Sequence, residues 1–174
     1  MKKFELTSET KINIFGKKLF RIKALISFAD VEAGETGGWV EKEGNVNQSG
    51  NAWVYGEAMV YGDAMVSGDA KVYGNAMVYG NAKVYGNAEV YGNAEVSGDA
   101  EVYGNADYTT IHGFGTQFRT TTFFRCKDKK VRVACGCFFG TIPEFREQVK
   151  NTRKGKIAEE YLMIADLMEK HFEK

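Results

Sequence analysis

From Gly44 to Gly104 a glycine recurs every six residues without a gap. That makes eleven units over residues 44–109, of the form Gly-[Asn/Asp]-Ala-x-Val-[Tyr/Ser]. Alanine fills the third place in ten units and valine the fifth in nine. A period of six is too short for any helical repeat and fits a β-helix built from hexapeptides. Each unit then supplies one short strand, and Gly-Asn or Gly-Asp turns the corner because both tolerate positive φ. Side chains alternate along a strand, so alanine and valine point inward while the fourth and sixth places point outward. The chain's 20 glycines against a single proline, Pro143, fit such a structure and neither collagen nor a flexible chain.

The Gly-Asn-Ala-x-Val-Tyr unit resembles that of hexapeptide left-handed parallel β-helix proteins. In that family three units close one triangular coil, which implies an 18-residue coil and about 3.7 coils here. Left-handedness comes from the resemblance; the general rule for parallel crossovers gives the opposite hand. An 18-residue coil stacks Tyr55, Tyr73 and Tyr91 in one outward column. Tyr61, Tyr79 and Ser97 form a second, and Ser49, Ser67, Tyr85 and Tyr103 a third. The fourth places stack as Trp53, Lys71, Glu89 and Asp107, as Met59, Met77 and Glu95, and as Asn47, Met65, Lys83 and Glu101. Tyrosine ladders stabilise a β surface without further function. Alternatively, Trp53, Met59, Met65 and Met77, with Tyr55, Tyr73 and Tyr91, form an apolar contact surface for another chain.

Residues 1–43 lie outside the repeat. Phe4–Thr7, Lys11–Phe15 and Leu19–Ile26 read as strands, Gly37-Gly38 as a turn, and Trp39-Val40 as the first rung. The segment is expected to be a β cap, because a solenoid core needs covering at its ends. Residues 110–174 change character. The runs 120–126 and 131–138 flank Lys127-Asp-Lys-Lys130 and predict a β-hairpin. Pairing Cys126 with Val131 places Phe124, Cys126, Val131, Val133 and Cys135 on one face. Thr141-Ile-Pro-Glu144 is a capping pattern that predicts a helix to about Asn151. A second helix is expected from about Gly155, with Ile157, Tyr161, Ile164, Ala165 and Met168 at helical spacing. The whole reads as a mainly β chain: cap, solenoid, then hairpin plus two helices.

The 23 basic and 23 acidic residues cancel, which removes the simplest nucleic-acid signature. They are unevenly placed: net +1 over residues 1–43, −6 over 44–109 and +5 over 110–174. An acidic shaft beside a basic tail calls for internal docking or for separate partners. No apolar h-region and no long apolar run is visible, so a cytoplasmic location without membrane contact is expected.

Hexapeptide helices include acyltransferases, which resemble one another in a histidine base at the coil edge and a loop protruding between coils. Residues 44–109 contain no histidine and no inserted loop; the two histidines are His112 and His171. An acyltransferase-like enzyme acting at a subunit interface is therefore the alternative reading, and no catalytic residue is assigned. Cys126, Cys135 and Cys137, with either histidine, could hold zinc. Cys-x-Cys is not the usual knuckle, however, and cysteines on a strand face are commonly small buried hydrophobes. No metal or cofactor is expected. Arg119, Arg125, Lys127, Lys129, Lys130 and Arg132, with Phe123 and Phe124 interleaved, cluster around the hairpin as a basic patch able to touch phosphate or an acidic protein face. Solvated loop charge is its bland counterpart.

Leu19-Phe-Arg-Ile-Lys-Ala-Leu25, Gly37-Gly-Trp-Val40 and Gly50-Asn-Ala-Trp-Val-Tyr55 resemble the opening of phage and prophage hexapeptide-repeat proteins. Thr121-Thr-Phe-Phe124, Cys135-Gly-Cys-Phe138, Gly140-Thr141 and Glu144-Phe145 resemble a module, CGCF-GT, that closes many of them. The resemblance implies a phage context, in which small non-enzymatic proteins block host defence machinery by occupying a surface. The expected function is binding of a macromolecule, as a scaffold or as an inhibitor of a host protein or protein–nucleic-acid complex. Hexapeptide relatives further imply a homo-oligomer, a trimer before a dimer.

Overall fold

Nine two-residue strands build the shaft: β4 (Trp53–Val54), β5 (Met59–Val60), β6 (Met65–Val66), β7 (Lys71–Val72), β8 (Met77–Val78), β9 (Lys83–Val84), β10 (Glu89–Val90), β11 (Glu95–Val96) and β12 (Glu101–Val102). They come from a computed structural model, which describes residues 2–173. Parallel pairing joins β4 to β7 to β10, β5 to β8 to β11, and β6 to β9 to β12. Val54 pairs with Val72 and Val72 with Val90, so three units make each coil. The repeat valines and alanines up to Val102 are buried and form one continuous core. Gly68 shows why the corners need glycine. Its φ is +69°, and a Cβ there would lie 3.0 Å from the backbone nitrogen of Gly86 in the next coil.

Both ends of the repeat slip, although the glycine spacing does not. Strand β3 (Thr36–Val40) pairs Val40 with Val60, and Val46 bridges Val66. Both separations are twenty residues. The expected rung over 44–49 is replaced by a 3-10 turn at Glu43–Asn45, so Asn47 and Ser49 do not join their columns. The eleventh unit also fails to make a rung. Asn105–Asp107 forms another 3-10 turn, where Asp107 accepts from the N–H groups of Tyr103 and Gly104.

The ladder is polar along the shaft. At the corners and strand ends each coil donates N–H groups to carbonyls of the following coil, as Tyr55 N does to Val72 O at 2.8 Å. The corners of the first coil therefore present bare carbonyls and those of the last coil bare N–H groups, and each end meets its chemical complement. At the carbonyl end, Lys3 Nζ donates to Gly50 O and Ala52 O at 3.2 and 2.8 Å. Arg21 Nη1 donates to Gly56 O at 2.6 Å, and Asn45 Nδ2 to Gly62 O and Ala64 O at 3.1 and 2.8 Å. Three corners thus receive three donor side chains. At the other end the partners are acceptors: Asn105 Oδ1 takes Glu89 N at 2.8 Å, and Thr122 Oγ1 takes Glu95 N at 3.1 Å. These contacts answer the rule that buried backbone groups are paired.

Lys3 carries a pH signature. Burial lowers its ammonium pKa to about 8 from the ordinary 10.5. Between those values the unfolded chain binds more protons than the folded one, so stability rises with pH across that window. A neutral amine still donates both bonds. Wild type should gain on Lys3→Met in urea midpoint from pH 7.5 to pH 10; a constant or shrinking gap removes this account.

The N-terminal cap extends one face of the shaft. Strand β1 (Phe4–Ile12) pairs antiparallel with β2 (Lys18–Ala24), and β2 with β3, giving a six-stranded sheet with β5, β8 and β11. The two expected strands at 4–7 and 11–15 are thus one, with an irregularity between Leu6 and Thr10, and the turn falls at residues 13–17.

The C-terminal part is a four-stranded antiparallel sheet rather than a lone hairpin: β13 (Tyr108–Phe114), β14 (Arg119–Arg125), β15 (Val131–Cys135) and β16 (Phe138–Thr141). Helices α1 (Ile142–Thr152) and α2 (Gly155–Phe172) follow. The Thr141 capping box forms as read: Glu144 Oε2 accepts from Thr141 N at 2.7 Å. The hairpin register differs from the expected one by one residue. Arg125, not Cys126, pairs with Val131, because Lys129 adopts φ +65° and bulges the turn. A one-residue shift reverses the faces. Phe124, Cys126 and Ala134 close the core of the shaft, while Phe123 and Val133 pack under the helices.

Candidate functional site

Trp53 does not belong to an exposed surface. It is 0% exposed. Phe4 and Phe28 meet its ring edge-on at 5.8 and 5.4 Å. Gly37 makes the room, since a Cβ there would lie 2.6 Å from the indole. Met59 and Met77 are half-buried in the column that Trp39 begins, and Met65, 37% exposed, is the open methionine of the four residues Trp53, Met59, Met65 and Met77. The apolar patch read from the sequence is thus largely covered by the chain's own cap.

The tyrosines stack in pairs. Tyr61 and Tyr79 lie parallel, 5.0 Å apart and 2° from coplanar, and Phe15 of the cap turn sits 6.0 Å from Tyr79. Tyr73 and Tyr91 stack at 5.3 Å. Tyr55 donates to Asp30 Oδ1 at 3.0 Å, and Lys71 Nζ reaches the same carboxylate at 2.9 Å. Tyr91 and Tyr103 are left 51% and 61% exposed.

The basic hairpin divides into framework and free charge. Arg125 turns inward. Its guanidinium is 3.4 Å from Asp107, donates to Phe172 O at 2.7 Å and lies over the Phe172 ring. It ties the sheet, the last coil and the end of α2 together, so it is not the free contact residue the sequence implies. Arg132 is likewise held, by Asp128 at 2.7 Å. That contact, then the Lys130 N–H, keep the Asp128 carboxyl below the ordinary range. Lys127, Lys129 and Lys130 are exposed and form no ion pair among the described residues. They flank two grooves. One, of about 410 Å³, has Lys129 and Lys130 on its rim and Val131, Ile142, Pro143 and Phe172 among its lining. The other, of about 430 Å³, lies between the hairpin and the last coil beside Lys127, Asp99 and Phe139.

The candidate metal ligands do not converge. No group of three or more His, Cys, Asp or Glu able to hold a metal occurs among the described residues. Cys126 is buried, which pushes its thiol up to about 11, and Cys135 Sγ accepts from Thr121 Oγ1 at 3.1 Å. His112 sits on β13 against Thr120, and His171 near the end of α2 against Phe172. Among the described residues, no helix is long and apolar enough to cross a membrane.

Against known families, residues 70–86 match the model of the YdcK β-solenoid repeat. That stretch holds β7, β8 and β9 and agrees with the parallel stack. Among curated proteins no match is found.

Proposed function

We propose that this chain is a non-enzymatic binding protein of phage type that docks an acidic surface of a host protein or protein–nucleic-acid complex, as a scaffold or an inhibitor of defence machinery. The observation that carries the reading is the hairpin tip. Arg125 and Arg132 are spent on holding its shape, and three neighbouring lysines are left exposed without carboxylate partners among the described residues. A rigid hairpin loses little conformational freedom on binding, so its charges act on the partner rather than on their own ordering. The apolar lining beside Lys129 and Lys130 adds a surface for side chains of the partner. The phage context and the host target rest on the resemblance of the terminal motifs.

Self-association belongs to the same reading, as a trimer before a dimer. Of the outward-facing shaft residues, Met65, Tyr91 and Tyr103 stay open for it, whereas Trp53 does not.

Reversing Lys127, Lys129 and Lys130 to glutamate should abolish capture from host lysate and leave the melting temperature within about 1 °C, because exposed charges contribute little to folding. Wild-type capture should fall steeply as salt is raised. A stable triple variant that captures everything the wild type captures removes the hairpin from the binding surface. Light scattering of the same wild-type preparation should exceed the 19.4 kDa monomer.

A further inference from the structure

The chain has six arginines, and four of them meet carboxylates: Arg21, Arg125, Arg132 and Arg146. Arg119 and Arg153 form no ion pair among the described residues. These two line the same pair of small cavities, of about 150 and about 140 Å³, together with Cys135 and Tyr161. Among the described residues, neither lining contains an aspartate or a glutamate. The three larger grooves all do: Glu169 and Glu173 in one, Asp99 and Asp128 in the next, Glu144 and Glu147 in the third.

The backbone makes room for this pocket at two glycines. Gly136 has φ +60°, and a Cβ there would collide with Arg119 Nη1, so the guanidinium lies against bare backbone. Gly115 has φ +73°, and a Cβ there would lie 2.6 Å from the Tyr161 hydroxyl. The Arg119 fork is further held by Gln117 Oε1, and the Tyr161 hydroxyl donates to Phe114 O at 3.2 Å. Arg153 Nη1 meets the Thr152 carbonyl at 3.3 Å. Just beyond Arg153, α2 begins with no capping side chain, which adds positive potential near the pocket.

We propose that Arg119 and Arg153 form a binding site for a small oxyanion, a phosphate or carboxylate group, with Tyr161 and Gln117 at its wall. Guanidiniums suit this class of ligand because their planar forks bind two oxygens at once. The site shares no lining residue with the two grooves beside the lysine hairpin and stands independently of the function proposed above.

Titration of the ¹⁵N-labelled chain with inorganic phosphate, against chloride at constant pH and ionic strength, tests the site. Saturable shifts are expected at the amides of Gly115, Gln117, Arg119, Gly136 and Arg153. Binding should weaken about tenfold or more in Arg119→Gln and in Arg153→Gln, a loss of about 1.4 kcal/mol per tenfold. Arg153 lies between the two helices and does not pack against Gly136 as Arg119 does, so its variant keeps the test valid if Arg119→Gln does not fold. A short phosphoserine peptide serves as a second probe. Tighter binding of the peptide assigns the group to a macromolecular partner, and equal or weaker binding assigns it to a free anion. Shifts that grow linearly without saturation, that centre on Lys127–Lys130, or that survive Arg153→Gln in the folded chain overturn the site.

Discussion

Val78→Asp is expected to leave no folded shaft at neutral pH. Val78 lies in β8, the middle of the three shaft strands on its face, between Val60 and Val96 of the neighbouring coils. All three are fully buried, and the alanines around them offer no polar partner. A carboxylate placed there must stay charged without compensation or take up a proton, and either course costs several kcal/mol. Losses above about 4–5 kcal/mol consume from about a third to all of the 5–15 kcal/mol by which a domain of this size is stable. The solenoid sharpens the effect, because each coil rests only on its neighbours and a defect in the middle separates the two halves. Met65→Glu is the matched control. Met65 immediately precedes a buried valine but points out, and Lys83, its partner one coil on, offers the new carboxylate an opposite charge. That variant should stay within about 0.5 kcal/mol of wild type. Equal urea midpoints for wild type and Val78→Asp would mean that the valines do not face the core.

The contrast between those two positions is legible in the sequence alone, because the hexapeptide requirement is local. A corner that demands positive φ every six residues names glycine, and the alternation between corners names what points inward. The two slips are not legible. Gly44 and Gly104 keep the period, yet Asn45 is drawn to bare carbonyls at one end and Asp107 to bare N–H groups at the other, and these pulls depend on where the stack stops. The hairpin register escapes sequence reading for a related reason. It turns on Lys129 in the left-handed region, a conformation that lysine does not advertise. Of the proposed contact residues, the exposed lysines read directly as loop charge, whereas the inward turn of Arg125 depends on Asp107 and Phe172, from two other segments. The Arg119–Arg153 pocket leaves almost no trace. Arg119 reads only as one more charge of the basic hairpin, and Cys135-Gly-Cys137 suggests metal chemistry; the glycine between the cysteines is what seats the guanidinium.

Trp53→Ala separates stability from binding most directly. An exposed tryptophan on a contact face would, when removed, weaken capture and leave the melt unchanged. The indole is instead enclosed by Phe4, Phe28 and the bare backbone of Gly37. Deleting it should cost about 3–5 kcal/mol, the range for a large aromatic lost from a core that cannot close over the space. The damage should start in the cap. Lys3, which holds the carbonyls of Gly50 and Ala52, also lies 4.8 Å from the Phe28 ring, so loosening that ring exposes the carbonyl end of the first coil. Trp39 remains as the single tryptophan reporter, held between Lys11 and Arg21 at 4.4 and 4.2 Å. Its emission should report unfolding at a much lower urea concentration in Trp53→Ala than in wild type. At low denaturant the hairpin should still capture its partner, because Lys127, Lys129 and Lys130 stand at the other end of the shaft, beside the last coil. An unchanged urea midpoint with lost capture would return Trp53 to the contact surface and leave the aromatic enclosure without an energetic role.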